Sequence, residues 1–347
     1  MAGRGRSLRA RGAAAVAALL AAAMVAGCGG AADGAISGGG GGDGGTRLTL
    51  VSYSTPQAVY DEVIPEYRHT AAGHDVSIAT SFGPSGDQSR AVDAGLRADV
   101  VSFSLEPDLD RLVRHGLVAP TWRDTRTGGL VSRSVVVFVV RRGNPQGVHA
   151  WRDLLRPGVQ VVTPSPATSG SAKWNVLAAY GAAGGARGDR AAGEAFVREL
   201  LAQHVAVQPK SAREALQSFA SGTGDVLLSY ENEAVTARRK GVGVDYVVPD
   251  ATILIENPIA ALKRSASPRQ AQALVDYLLS RPAQEHFAAW GYRPVDDAVA
   301  AEHARTFPRP PHLFTIRDLG GWPAVDDAFF DAEHGWVTRL QEHAGGR

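Results

Sequence analysis

The chain has 347 residues, of which 44 % are hydrophobic and 20 % are charged, a balance that can bury a sizeable core and excludes a wholly disordered chain. The formal net charge is +1, so the composition does not favour a nucleic-acid partner. The single cysteine excludes an internal disulfide framework and a Cys-rich zinc site.

The first segment, residues 1–28, has the pattern of an export signal. Four arginines and no acid precede an apolar run over residues 13–26, which is short for a membrane span but typical of a signal-peptide core. The run leads to Gly27 and Cys28, and small residues before a lone cysteine resemble a bacterial lipobox. This resemblance implies that Cys28 is lipidated and becomes the mature N-terminus. An ordinary signal peptide with an incidental cysteine is the alternative.

Residues 29–46 consist almost entirely of Gly, Ala, Asp and Ser, from which no core can form. We predict a flexible tether with a root-mean-square reach of about 23 Å for ~18 residues. The folded protein is expected to begin at Arg47. The N-terminal segments together predict an exported protein, lipid-anchored to the outer face of the cytoplasmic membrane.

Predicted strands and helices alternate along the folded part. Strands are predicted at Leu48–Tyr53, Val76–Thr80, Asp99–Ser104, Ser134–Arg141, Val159–Thr163, Val205–Val207 and Val226–Tyr230. Helices are predicted at Pro56–His69, Gly86–Leu96, Pro107–His115, Lys173–Tyr180, Gly193–Gln203, Ala212–Ala220, Pro268–Ser280 and Ala283–Trp290. The alternation favours an α/β architecture with parallel sheets. No Pro/Gly-rich linker follows Gly45, so two domains would have to share a tight hinge or several crossings.

Four predicted helices start with the same local chemistry, in which a small hydroxyl residue follows an apolar strand. The four starts are Tyr53-Ser54-Thr55-Pro56, Gly83-Pro84-Ser85-Gly86, Thr168-Ser169-Gly170-Ser171 and Lys210-Ser211-Ala212-Arg213. A helix N-terminus offers unpaired backbone N–H groups and about half a positive charge. Each start alone is a weak signal, because Ser and Thr cap helices in all kinds of proteins. Several starts that converge on one cleft would form an oxyanion pocket without a cationic side chain.

From about Leu48 to Trp322, longer motifs resemble the sulfate-binding proteins of bacterial ABC importers, especially the lipoprotein type of actinobacteria. These motifs are Ser81–Arg90, Ala98–Val101, Val137–Pro145, Gly158–Pro164, Thr168–Asn175, Gly224–Ala234, Tyr292–Pro294 and Leu313–Ile316. The resemblance implies a periplasmic-binding-protein fold of the second type, with two α/β lobes that close on a ligand cleft. It places lobe 1 at 47–136 and 249–347 and lobe 2 at 137–248. The chain is expected to cross between them near 135–138 and 248–253.

The resemblance also implies a set of ligand contacts. Ser85 matches a serine that contacts a sulfate oxygen through its hydroxyl and its helix start. Ser169 and Gly170 match a serine–glycine pair at the helix start of lobe 2, and Ala212 matches a backbone N–H donor. These four positions keep the pattern of the family.

Three further contact positions depart from that pattern. Ser54 stands where enterobacterial members have an Asp that donates its backbone N–H. Ser171 stands where a second Gly is usual, and Tyr230 stands where a Trp donates its indole N–H. Sulfate stays the expected ligand, with thiosulfate and molybdate as alternatives. The sequence leaves open whether Lys173 or Arg213 touches the ligand.

The implied partners are an ABC permease and its ATPase, with no cofactor and no metal. The ten histidines are scattered and form no metal-binding spacing. An enzyme is not expected, because Gly83-Pro-Ser85-Gly-Asp87 falls one residue short of GxSxG and the sequence has no P-loop. A surface sensor that uses the same fold without transport is a further alternative.

Overall fold

A computed structural model describes residues 45–345. The predicted signal peptide, Cys28 and nearly all of the tether therefore lie outside the described residues. The first strand begins at Thr46, the last residue of the predicted tether. The strands in the described part are β1 Thr46–Tyr53, β2 Val76–Gly83, β3 Val100–Ser102, β4 Leu130–Arg141, β5 Val161–Val162, β6 Val205–Val207, β7 Val226–Tyr230, β8 Val244–Val247, β9 Ala251–Ala261 and β10 His312–Phe314.

Helices fill most of the connections between the strands. The α-helices are α1 Gln57–Arg68, α2 Ser85–Asp93, α3 Glu106–Arg114, α4 Gly170–Ala183, α5 Arg190–Glu199, α6 Ala212–Ala220, α7 Glu231–Arg239, α8 Pro268–Leu278, α9 Arg281–Ala289, α10 Asp297–Glu302, α11 Gly321–Val325 and α12 Trp336–Gly345. Local chemistry explains several of their starts. The Ser211 side chain, for example, accepts a hydrogen bond from the Glu214 backbone N–H at 3.1 Å and so caps α6. No helix in the described part of the chain is long and apolar enough to cross a membrane.

The strands follow the order β2-β1-β3-β9-β4-β7-β5-β6, while β8 pairs with β4 and β10 pairs with β9. At one end β1, β2 and β3 run parallel and form a first strand group. At the other end β5, β6 and β7 run parallel and form a second strand group. The predicted α/β class is confirmed, although antiparallel pairs of β4 and β9 join the two groups.

The long strand β4 belongs to both halves of this arrangement. Its residues up to Val135 pair with β9, whereas its residues from Val136 onward pair with β7. Its run of valines suits this position, because β-branched side chains fit the surfaces of a strand that is buried on both faces. The change of partner falls inside the predicted crossing region 135–138.

The end of the chain packs differently from the prediction that all of 249–347 belongs to lobe 1. The strand β10 pairs with Ala251–Ile253 of β9. Beyond it, the centroid of the Trp322 ring lies 4.8 Å from that of Trp174 in α4. The ring centroids of Phe329 and Tyr180 are also 4.8 Å apart. Aromatic burial therefore attaches the segment from His312 onward to α4 and the second strand group.

Candidate functional site

A small cavity lies where helix starts from the two strand groups meet. It is lined by Tyr53, Ser54, Thr55, Pro84, Ser85, Ser104, Ser169, Gly170, Ser171 and Ala212. Six of the seven predicted contact residues are among these, and none of the ten side chains is charged. The cavity volume is about 10 Å³. Pockets for organic ligands typically measure about 300–1,000 Å³, so this cavity is far too small for an organic ligand.

The starts of three α-helices border the cavity. Ser85 is the first residue of α2, Gly170 is the first of α4 and Ala212 is the first of α6. The first N–H groups of an α-helix have no partner within the helix and carry part of its positive dipole end. The cavity thus combines positive potential with backbone donors and without a cationic lining residue.

Position 170 has room only for glycine, because Ser104 and Leu105 lie too close to it for a side chain. A Cβ built at this position would lie 2.7 Å from Ser104 Oγ and 2.8 Å from a methyl carbon of Leu105. Next to it, the hydroxyls of Ser169 and Ser171 are hydrogen-bonded to each other at 2.8 Å. The Ser169 side chain does not cap α4, and the hydrogen bond between the two hydroxyls leaves one O–H of the pair that can be donated to the cavity.

The Ser85 hydroxyl is engaged away from the ligand position predicted for it. Ser85 Oγ donates to Asp108 Oδ2 at 2.6 Å and accepts from the Ser104 backbone N–H at 3.0 Å. Contact of this hydroxyl with the ligand stays a prediction, and in this structure its proton has a buried acceptor. The backbone N–H at the start of α2 is the donor that Ser85 can offer. Burial raises the pKa of the Asp108 carboxyl above its ordinary value.

Neither of the two flanking cations lines the cavity. Lys173 Nζ lies 2.8 Å from Asp326 Oδ1 and sits 4.8 Å from the centre of the Phe330 ring. Arg213 Nη2 donates to the carbonyl oxygens of Ser54 and Thr55 instead. Both charges are thus used to hold neighbouring segments.

Tyr230 is the one predicted contact residue that does not line the cavity. It is fully buried at the end of β7, and its hydroxyl lies 2.6 Å from Ser104 Oγ. Burial raises the pKa of the Tyr230 hydroxyl well above its ordinary value, so the phenol stays protonated. Sequence reasoning missed Ser104, although it repeats the pattern of a small hydroxyl residue after an apolar strand.

The acidic run at the start of α7 is buried beside the site. Glu231 pairs with Arg293 at 2.8 Å, and Glu233 pairs with Arg213 at 3.5 Å. Burial raises the pKa of both carboxyls, and the two arginines counteract the shift. These carboxylates support neighbouring segments without lining the cavity.

A larger cavity of about 490 Å³ lies elsewhere, beside Trp151 and Phe196. Its lining contains none of the predicted contact residues and consists largely of alanine, leucine, proline and aromatic side chains. In the described residues, no group of His, Cys, Asp and Glu has the arrangement of a metal site. The helix-start cavity is therefore the candidate site for an anion.

Comparisons with known proteins agree with this arrangement. Residues 48–293 match the family described as bacterial extracellular solute-binding protein. The chain belongs to this family. It is 38 % identical over 309 residues to a sulfate-binding protein of Synechococcus elongatus, which covers 86 % of this chain and 88 % of that protein. A thiosulfate-binding protein of Pseudomonas aeruginosa is 34 % identical and covers 81 % of this chain and 88 % of its own length.

A solved structure with the same fold is also similar in sequence. The sulfate-binding protein SubI from Mycobacterium tuberculosis H37Rv is 48 % identical, with a TM-score of 0.81, over 82 % of this chain and all of SubI. The predicted periplasmic-binding-protein fold is therefore confirmed. These solute-binding proteins are extracellular by family description, which agrees with the predicted export.

Proposed function

We propose that this solute-binding protein is a sulfate receptor that captures its ligand outside the cytoplasm for an ABC importer. The observation that carries the proposal is the cavity itself, in which three α-helix starts meet and no lining side chain is charged. Relatives named as sulfate-binding proteins, one of them 38 % identical and SubI 48 % identical, support the same ligand.

The donors come from both halves of the protein. Ser54 and Ser85 supply backbone N–H groups from the first strand group. Gly170, Ser171 and Ala212 supply them from the second, where the Ser169 hydroxyl adds a side-chain donor. A dianion held by dipoles and neutral donors loses its water shell but gains several short hydrogen bonds, each stronger than a bond between neutral groups.

Selectivity follows from the lack of a carboxylate acceptor in the cavity lining. Sulfate is fully deprotonated at neutral pH, whereas phosphate keeps at least one proton that needs an acceptor. The nearby carboxylate of Asp108 already accepts from Ser85 Oγ and does not line the cavity. A buried phosphate O–H without a partner costs about 1–3 kcal/mol, which disfavours phosphate relative to sulfate.

Closure of two lobes around the anion is the mechanism we favour. Lobe 1 comprises 47–136 and 249–311, and lobe 2 comprises 137–248 together with the C-terminal segment from residue 312. Two hydrogen bonds that join these lobes support closure: the Gly86 N–H donates to the Thr168 carbonyl at 3.2 Å, and Arg90 donates to the Ala167 carbonyl at 3.4 Å. Such contacts form on closure and present both lobes to a permease.

The anchor and the transport partners complete the proposal. Lipidation of Cys28 would hold the receptor at the outer face of the membrane, and the tether would let it reach the permease, which an ATPase drives. Replacement of Cys28 by Ala should release the protein from the membrane fraction. Retention of this variant in the membrane fraction would contradict the lipid anchor.

The proposal is tested by calorimetric titration of residues 29–347 after unfolding, dialysis and refolding to remove any bound anion. Sulfate, thiosulfate, molybdate and phosphate are compared side by side. We expect one-to-one binding of sulfate and no heat from phosphate. Tight binding of phosphate, or no binding of any of the four anions, would overturn the proposed function. Preference for thiosulfate or molybdate would support the role as an oxyanion receptor but would replace sulfate as its ligand.

A further inference from the structure

The backbone of Ser104 is fixed by contacts from three directions. Ser104 follows β3 in the chain, is 1 % exposed and lines the cavity. Its N–H donates to Ser85 Oγ at 3.0 Å. Its carbonyl oxygen accepts from Trp174 Nε1 and Asn257 Nδ2, both at 2.9 Å. Both backbone polar groups of Ser104 are therefore engaged within the protein, and the side-chain hydroxyl is the polar group that remains to be considered.

That hydroxyl shares a short hydrogen bond with a buried phenol. Ser104 Oγ lies 2.6 Å from the hydroxyl of Tyr230, a side chain with no exposed surface. Two hydroxyls bring two protons, and one hydrogen bond between them uses one. One O–H therefore remains to be donated elsewhere, and the direction of the pair decides which residue carries it.

The surroundings decide this direction. Among the described residues, Ser104 is the one hydrogen-bond partner of the Tyr230 hydroxyl, and Tyr230 does not line the cavity. If Ser104 donated to Tyr230, the phenol proton would be buried without an acceptor, which costs free energy. Tyr230 therefore donates, and the Ser104 proton is directed to the cavity.

Resting on the proposed function, we propose that Ser104 is a ligand-contact residue that donates its hydroxyl proton to an oxygen of the bound oxyanion. Tyr230 is its positioning residue: the phenol donates to Ser104 Oγ and so directs the Ser104 proton towards the cavity. This assignment replaces the direct contact predicted for Tyr230. Successive hydrogen bonds polarise one another, so the phenol also strengthens the bond that Ser104 makes to a dianion.

The test uses calorimetric titration of sulfate into residues 29–347 and into variants of this chain. Ser104→Ala should weaken binding about tenfold or more, because a hydrogen bond to a charged group is lost. Tyr230→Phe should weaken it by a smaller factor, since the donor stays and loses its support. The double variant should bind as Ser104→Ala does, because Tyr230 acts through Ser104.

Matched controls separate this role from a general loss of buried hydroxyls. Ser134→Ala removes a buried serine hydroxyl of β4, and Tyr60→Phe removes a buried phenol; neither residue lines the cavity. Both controls should bind sulfate like the parent. Ser104→Cys keeps the side-chain shape with a weak S–H donor and should also weaken binding, which covers the case in which Ser104→Ala does not fold.

Two failures can be told apart. If the parent does not bind sulfate, the proposed function fails, and this inference fails with it. If the parent binds and Ser169→Ala weakens it, while the folded Ser104 variants titrate like the parent, only the role of Ser104 is refuted. A double variant much weaker than Ser104→Ala would refute the positioning role of Tyr230.

Discussion

Arg213 Nη2 lies 3.1 Å from the carbonyl oxygen of Thr55 and 3.3 Å from that of Ser54, so this cation holds the turn after β1 from across the cleft. The same nitrogen lies 3.5 Å from the buried carboxylate of Glu233. Arg213 directly follows Ala212, at the start of α6, yet it does not line the cavity. Its guanidinium contacts a carboxylate and two carbonyl oxygens, so the proposed anion would be stabilised by backbone dipoles and not by this cation.

The first prediction separates the two roles of Arg213. Arg213→Met should lower the free energy of unfolding by about 3 kcal/mol, because Glu233 would be left buried without its partner. It should also weaken sulfate binding, since the turn at Ser54 loses its support. Urea unfolding and calorimetric titration measure the two effects.

A double variant provides the control for this prediction. Arg213→Met combined with Glu233→Met removes both charges and should regain most of the stability, because no buried charge remains unpaired. Sulfate affinity should stay reduced in this double variant. Parent-like affinity in either variant would show that the turn does not need Arg213.

The cavity was largely predictable from the sequence because its chemistry is local. A strand, a small hydroxyl residue and a helix start follow one another within a few residues, and that pattern placed Ser54, Ser169 and Ala212 correctly around one cavity. The pairings that decide what each side chain does join distant positions, and no local pattern encodes them. Ser85 bonds Asp108, 23 residues away, and Ser104 bonds Tyr230, 126 residues away.

In the fold, too, elements with a clear local sequence pattern were predictable, whereas packing between distant residues was not. Valine-rich β4 was predicted at Ser134–Arg141, close to its second half. The neighbouring strand β9 was missed, because Glu256, Asn257 and Pro258 interrupt its apolar pattern. The packing of the C-terminal segment on α4 depends on contacts such as Trp322 with Trp174, which single-sequence periodicity does not reveal.

The second prediction contrasts two serines of the cavity. Ser169→Ala should weaken sulfate binding by about 1–3 kcal/mol and lower stability less than Ser85→Ala does, because its hydroxyl caps no helix and bonds only Ser171. Ser85→Ala should mainly lower stability, since Asp108 and the Ser104 N–H lose a buried partner. Titration and thermal unfolding of both variants measure the contrast. Equal effects of the two substitutions on affinity and stability would argue against these separate roles.

The third prediction concerns pH. Burial raises the pKa of Asp108 above 3.8, so the folded protein holds its proton to higher pH than the unfolded chain does. The stability that Asp108 contributes is therefore greatest below its unfolded pKa and declines as pH rises through the folded pKa. A bound dianion favours the neutral carboxyl further, so sulfate affinity should rise as pH falls towards this pKa.

Asp108→Asn isolates this effect, because the amide oxygen still accepts from Ser85 Oγ while the charge is gone. Glu231 and Glu233 also have raised pKa values, and they remain in this variant. We expect sulfate to bind the variant at least as tightly as the parent at neutral pH, with the rise at lower pH largely removed. Titrations over a pH series would contradict the assignment if both proteins showed the same rise.

The fourth prediction frees a cation in the first turn of α4. Asp326→Asn removes the carboxylate that holds Lys173, while the edge-to-face contact of Trp322 with Trp174 keeps the C-terminal segment in place. Stability should change by less than about 1 kcal/mol, because Asp326 is 43 % exposed. Sulfate should bind more tightly at low salt, phosphate should gain as well, and added salt should screen both gains. Adding Lys173→Met to Asp326→Asn should cancel these gains, and a gain that persists without Lys173 would have to come from another charge.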